Sequence, residues 1–163
     1  MKKYLFTLMA FVIIAGVLFT PEIELIPPTP EETAKVEAEE VKQVKSEKVV
    51  AYLQSKGSPL STDEVSLLVS MPHGDLLIAI SAIESQYCKR QLGYNCWGIG
   101  GDSAYRHYEN FSEAIIDANN LITRWQARGR WHTVEDMNCH YVVPCNDNWV
   151  RTVNKVLQDL ESL

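Results

Sequence analysis

From Leu76 to Ile83 the chain is apolar on every side of a helical projection: Leu76-Leu77-Ile78-Ala79-Ile80-Ser81-Ala82-Ile83, closed by Glu84-Ser85. A run with no polar face cannot lie on a surface, so it predicts a core helix buried around its circumference. Gly74 and Asp75 introduce it. Upstream, Ser61-Thr62-Asp63-Glu64 has the form of a capping box and opens a helix through Val65, Leu67, Leu68 and Val69 that ends before Pro72. Val49 to Ser55 predicts a further short helix, ended by Gly57 and Pro59. From Cys88 to Tyr108 the periodicity disappears and Gly93, Gly98, Gly100 and Gly101 cluster, which predicts loops with at most a small hairpin around Tyr105 to Tyr108. Helical spacing returns with Ile115, Ala118, Ile122 and Trp125, behind Ser112 as the expected cap. That cap also accounts for the glycosylation-like triplet Asn110-Phe111-Ser112. Gly129 breaks this helix, Thr133 to His140 suggests a short one, and Trp149, Val153, Val156 and Leu160 share one face of a last helix starting near Asn146 or Asp147. No internal repeat is visible. The pattern predicts a mainly α domain with a small irregular lobe after the Glu84 helix.

The N-terminal part has a different character. Met1-Lys2-Lys3 precedes an uncharged, mostly apolar stretch from Tyr4 to Thr20, the mark of an export signal or a membrane anchor. The stretch is somewhat shorter than the ~20 residues a spanning helix needs. It lacks a small-x-small cleavage site around Ala15 to Pro21 and a cysteine for lipidation. Residues 1–20 are therefore expected to be an uncleaved single-pass anchor in the cell membrane, with the rest of the chain extracytoplasmic; secretion after signal cleavage is the alternative. Pro27-Pro28-Thr29-Pro30 opens a stiff spacer, and the Glu/Lys/Val/Ala stretch from Glu31 to Lys48 reads as a stalk. It is either helical, with Glu37…Val41 and Glu40…Val44 on successive turns, or a solvated tether, which its lack of aromatics favours. The organisation expected is an anchor over 1–20, a linker over 21–48 and one domain over 49–163.

Charge and cysteines narrow the possible partners. Residues 49–163 carry 13 acidic and 9 basic side chains, an acidic balance without a basic stripe, which argues against nucleic acid and suits a neutral or amphoteric substrate such as a sugar polymer. Cys88, Cys96, Cys139 and Cys145 all fall in this domain. An even count in an exported chain reads as two disulfides; three pairings are possible, and the local pairs 88–96 and 139–145 are preferred. A zinc site using His132 or His140 is the weaker reading, because the spacings match no usual knuckle. No metal and no cofactor are expected.

Chemistry concentrates after the core helix. A carboxylate at the end of a buried helix is half desolvated, which disfavours its charged form and suits a general acid. The plain alternative is a Glu that meets water or an Arg at a helix end. Tyr87, Tyr94, Asn95, Trp97, Tyr105, His107 and Tyr108 follow among glycines, and aromatic faces on a loop-rich surface stack on sugar rings. Trp97 is equally readable as a core plug beneath the loops.

Ala82-Ile83-Glu84-Ser85, then Asn95-Cys96-Trp97-Gly98-Ile99-Gly100-Gly101, then Tyr105-Arg106-His107-Tyr108 through Glu113-Ala114-Ile115, and finally Tyr141 with Pro144 and Trp149 resemble, in this order, the motifs of the bacterial glucosaminidase family. This is the mannosyl-glycoprotein endo-β-N-acetylglucosaminidase-like group of the lysozyme-like superfamily, and the resemblance covers about Leu76 to Leu163. It implies a lysozyme-like α+β domain with a reduced β-lobe, and cleavage of β-1,4 bonds between amino sugars of peptidoglycan. Glu84 matches the family's acid, and Tyr141 a tyrosine that approaches it. Asn95, Trp97 and Gly98 match the motif that shapes the groove floor. With Ser85, Tyr87 and Tyr105 they are the expected substrate contacts, Ser85 as a supporting neighbour of the acid rather than a nucleophile. The hairpin that often supplies the family's second acid is nearly absent here; Asp102 is the acid left in the gap and Glu109 lies just beyond. The expected partner is a peptidoglycan glycan strand, bound by a monomer. Without a second acid, Glu84 alone implies either a lytic transglycosylase or a glycan-binding module without turnover.

Overall fold

The computed structural model of the chain describes residues 29–101 and 104–163. The anchor expected over 1–20, the first part of the linker and Asp102 lie outside them. The described chain is mainly helical, with six helices and one two-residue-stranded hairpin: α1 Pro30–Ser55, α2 Thr62–Ser70, α3 Gly74–Ser85, β1 Gly100–Gly101, β2 Ala104–Tyr105, α4 Phe111–Gln126, α5 Val134–Met137 and α6 Asp147–Glu161. Among the described residues no helix is long and apolar enough to cross a membrane.

α3 behaves as its composition demands. Leu77, Ile78, Ala79, Ile80 and Ser81 are buried in succession, so its middle turn is covered on every side. Each large aliphatic side chain hidden in this way contributes about 1.5–3 kcal/mol. α6 supplies the most extensive packing partner, through the expected face Trp149, Val153, Val156 and Leu160. α4 adds Ala114, Ile115, Ala118 and Ile122, and α2 adds Val65 and Leu68. Gly74 is where α2 and α3 nearly touch: a Cβ there would stand 1.9 Å from the Leu68 carbonyl oxygen, so no larger residue fits.

The helix ends follow local chemistry. Ser61 and Glu64 form the capping box that opens α2. α4 corrects one expectation: Asn110 is its N-cap, accepting from the Glu113 amide at 2.9 Å, and Ser112 lies inside the first turn. Glu113 reciprocates by accepting from the Glu109 amide. The short helix expected over 133–140 contracts to α5 behind the capping box of Thr133 and Asp136. At α6, Asn146 caps by accepting from the Asn148 and Trp149 amides.

The stalk differs from the favoured reading. Residues 30–48 are helical and continue without a break into 49–55 as one helix. Pro at the first position costs the helix nothing, because that N–H has no intrahelical partner. Ala, Glu and Lys then keep the propensity high, and Gln43 donates to Glu47 one turn on. Among the described residues its second half is the anchored one, through buried Ser46, Val49 and Leu53, the Ser46–Ser66 hydroxyl contact and the Lys45–Asp75 ion pair.

Both local disulfides form, Cys88–Cys96 and Cys139–Cys145, and no free cysteine is left for zinc. The small hairpin is the lobe's only pair of strands among the described residues, with Gly100 opposite Tyr105, and an isolated bridge joins Leu92 to Asn95. It pairs 100–101 with 104–105, rather than centring on 105–108.

Candidate functional site

Glu84 lies in the last turn of α3, where the helix leaves the core and the chain turns back on itself. The turn is unusual. Gln86, Tyr87 and Cys88 have φ of +54°, +58° and +69°, three consecutive left-handed residues and none of them glycine. That conformation costs an L-residue about 1–2 kcal/mol each. Several bonds offset it. The Tyr87 amide donates to the Ser81 carbonyl and the Arg90 amide to the Ser85 carbonyl, both at 2.9 Å. The buried Ser85 hydroxyl accepts from the Cys88 amide and shares its one proton between the Cys96 carbonyl at 2.8 Å and the Ser81 carbonyl at 3.1 Å. The Cys88–Cys96 disulfide closes the loop.

Beyond the turn, Asn95 ties the next loop together. Its buried amide group donates to the Ile99 and Arg106 carbonyls, while its oxygen accepts from the Trp97 and Ile99 amides. All four hydrogen-bonding positions of the side chain are thus spent on backbone. Trp97 is a core residue, 1% exposed, with its indole N–H on the Leu77 carbonyl. Tyr87 pairs hydroxyl to hydroxyl with Tyr52 at 3.0 Å on the side of α1.

A cleft of about 220 Å³ opens over this frame, lined by Glu84, Arg90, Leu92, Gly98 and Tyr105, with Ser85 and Asn95 at its base. Gly98 forms its tightest point. Its φ is +63°, and a Cβ there would stand 3.5 Å from Glu84 Oε2 and 3.7 Å from the Tyr105 ring. Glycine therefore satisfies the left-handed backbone and keeps the acid's second oxygen uncovered. Leu92 and Tyr105 present apolar surface, each about 60% exposed (60% and 59%).

Behind the acid stands an aromatic wall. Trp149 Nε1 donates to Glu84 Oε1 at 2.8 Å. The Trp149 ring packs on Tyr141, Tyr141 on Trp131 and Trp131 on Trp125, with ring centres 5.6, 5.6 and 5.1 Å apart. Tyr141 is half-buried and its hydroxyl donates to the Trp97 carbonyl. Burial, followed by the charges of Glu84 and Tyr108, holds its phenol well above the ordinary value, so it stays protonated. Glu84 as a residue is open to solvent, yet its carboxylate sits low among protein atoms. Burial raises its pKa above the usual carboxylate value, while the Trp149 hydrogen bond pulls the other way. Contact with solvent keeps that desolvation partial.

The structure thus gathers Glu84, Ser85, Asn95, Gly98 and Tyr105 around one cleft, with Trp97 and Tyr141 supporting it from beneath. Tyr87 faces Tyr52 instead. Glu109 is exposed, and its backbone is bound to Glu113. Among the described residues Glu84 is the one carboxylate lining the cleft. Two residues escaped sequence reasoning. Arg90 is not singled out there at all, and Trp149 enters only as the head of the α6 stripe and as part of the C-terminal motif, not as a partner of Glu84. The pairing of Trp149 with Glu84 spans 65 positions, and no local pattern announces it. Among the described residues no group of three or more His, Cys, Asp or Glu is placed to hold a metal. No family profile, no curated protein and no solved structure matches the chain.

Proposed function

We propose that residues 49–163 form a peptidoglycan-cleaving glycosidase in which Glu84 is the general acid. The observation that carries the reading is the state of Glu84. Its carboxylate opens onto a cleft, has one oxygen held by Trp149 and the other bare, and has a pKa raised by burial. A carboxyl group in that condition keeps a proton to give. Exposed Tyr105 and Leu92 offer the flat apolar contacts that a sugar ring takes, and the ordered motifs around Glu84, Trp97–Gly98 and Tyr141 point to the same substrate class.

In the reaction, Glu84 passes its proton to the glycosidic oxygen. The bond from that oxygen to the anomeric carbon breaks, and its electron pair stays on the departing sugar. The oxocarbenium carbon is then captured by an oxygen nucleophile, whose proton returns to the Glu84 carboxylate. A second carboxylate would activate water for this step. Glu84 alone among the described cleft residues favours a second reading, in which the sugar's own 6-hydroxyl is the nucleophile and a 1,6-anhydro end results, as in lytic transglycosylases.

The test is release of soluble fragments from purified sacculi. Wild type is expected to release them and Glu84→Gln to lose at least ~100-fold in rate, the scale of a lost general acid, with an unchanged circular dichroism spectrum. Undiminished release by the folded variant would sink the proposal. Mass spectrometry of the products separates anhydro ends from reducing ends.

A further inference from the structure

Arg90 lines the cleft together with Glu84, and its guanidinium makes no hydrogen bond, ion pair or ring contact with any described residue. We infer that Arg90 is the recognition residue of this cleft, and that the sugar strand it takes bears a carboxylate beside the ring seated there. The inference rests on the peptidoglycan reading above and names the group on that strand which the cleft recognises.

Three observations carry it. First, a permanent cation and an acid share one small cleft without pairing. A guanidinium against Glu84 would hold the acid ionised; here no ion pair or hydrogen bond joins the two. Second, the chain reaches this arrangement through the left-handed run Gln86-Tyr87-Cys88, and the Arg90 amide is itself tied to the Ser85 carbonyl at 2.9 Å. Backbone in that region persists only where surrounding structure enforces it, and here a disulfide and the Ser85 hydroxyl do so. The consequence is that Arg90, six positions past Glu84, is turned back to the same cleft rather than carried away. Third, the rest of the described lining is uncharged. Leu92, Gly98 and Tyr105 suit the body of a sugar ring, which leaves the fork of Arg90 for a planar anion. Of the two common amino-sugar polymers, chitin offers no anion. Peptidoglycan offers carboxylates from two sources, the 3-O-lactyl ether of alternate sugars and the peptide attached to it.

Binding is read by calorimetry in a Glu84→Gln background, so that no cut intervenes whether or not the wild type cuts. The ligands are tetrasaccharides of alternating N-acetylglucosamine and N-acetylmuramic acid with free lactyl carboxylates, with those groups converted to primary amides, or with the peptide attached. A neutral N-acetylglucosamine tetramer is the fourth. A carboxylate-bearing ligand should bind roughly tenfold or more tighter than the amide and the neutral tetramer, the ratio a charge-assisted hydrogen bond supplies. Whichever of the free acid and the peptide form gains identifies the source. Adding Arg90→Gln should erase the preference while leaving neutral-tetramer binding and the disulfide map unchanged. Arg90→Lys should restore only part, since an ammonium lacks the fork. Equal binding of all four ligands, or a preference that survives Arg90→Gln, would overturn the inference. Absence of fragment release by the wild type, with the preference intact, would instead remove the glycosidase reading alone.

Discussion

At the scale of single residues, the site depends on how Glu84's two oxygens are divided. Trp149 donates to Oε1, so that oxygen is the one pinned to the protein, and Oε2 faces the gap that Gly98 leaves. The indole N–H stabilises the charged carboxylate and lowers its pKa, while burial raises it. Trp149→Phe keeps most of the buried ring and deletes the donor, leaving desolvation unopposed. The Glu84 pKa should therefore move further up, and the basic limb of any pH–activity profile should move to higher pH with it, because the acid form persists longer. Carbon-13 titration of the Glu84 carboxyl reads the shift directly. A pKa that stays put or falls in the variant would show that the hydrogen bond does not tune the acid. Glu84 itself was legible in the sequence, since a carboxylate closing an all-apolar helix is a local signal. Its partner was not, because Trp149 looks like any aromatic heading an amphipathic stripe. Asn95 teaches the complementary lesson: a polar residue among glycines resembled a ligand contact, yet its amide is committed to holding the loop.

At the scale of elements, the legible parts are those whose pattern is local. The apolar run of α3, the capping box of α2 and the apolar face of α6 all form where periodicity and capping chemistry put them. The left-handed turn at 86–88 could not be read, because it contains no glycine and is enforced by Ser85 and a disulfide from outside the segment. α1 was ambiguous for a related reason. Its first half has helix-forming residues but no buried face, so composition alone does not separate helix from tether. That difference has a measurable consequence. Val36, Val41 and Val44 are half or more exposed, whereas Val49 and Leu53 are at most 2% exposed. An isolated helical half of this length is marginal in water, and its amides open locally without unfolding the domain. In native-state hydrogen exchange, amides 34–44 should exchange roughly a hundredfold or more faster than amides 49–55. Uniform protection along α1 would mean that its outer half is covered by something in solution, such as a second copy of the chain.

For the whole molecule, the cleft is a product of long-range assembly: α3 supplies the acid, α6 its indole partner, and the loops after α3 supply the walls. The two disulfides hold different parts of this assembly. Their sequence separations are 8 and 6, and loop-closure entropy assigns about 2–3 kcal/mol to each, so entropy does not rank them. Access does. Cys88 and Cys96 are at most 1% exposed and lie in the core beneath the cleft, while Cys139 and Cys145 are exposed on the loop that carries Tyr141. Thiol attack requires an approach to sulfur, so mild reductant under native conditions should open Cys139–Cys145 first. The domain should survive that step. Trp149 stays buried, and Asn146 still caps α6 through two backbone bonds, so tryptophan fluorescence should change little. Cys88–Cys96 should open only when the domain unfolds globally, since reaching it means dismantling Ser85, Asn95 and the Trp97 packing together. Timed alkylation followed by peptide mass mapping gives the order. Labelling of Cys88 and Cys96 ahead of Cys139 and Cys145 would show that the segment 85–97 opens on its own, and a cleft wall that opens so easily could not keep Glu84 and Arg90 in fixed register.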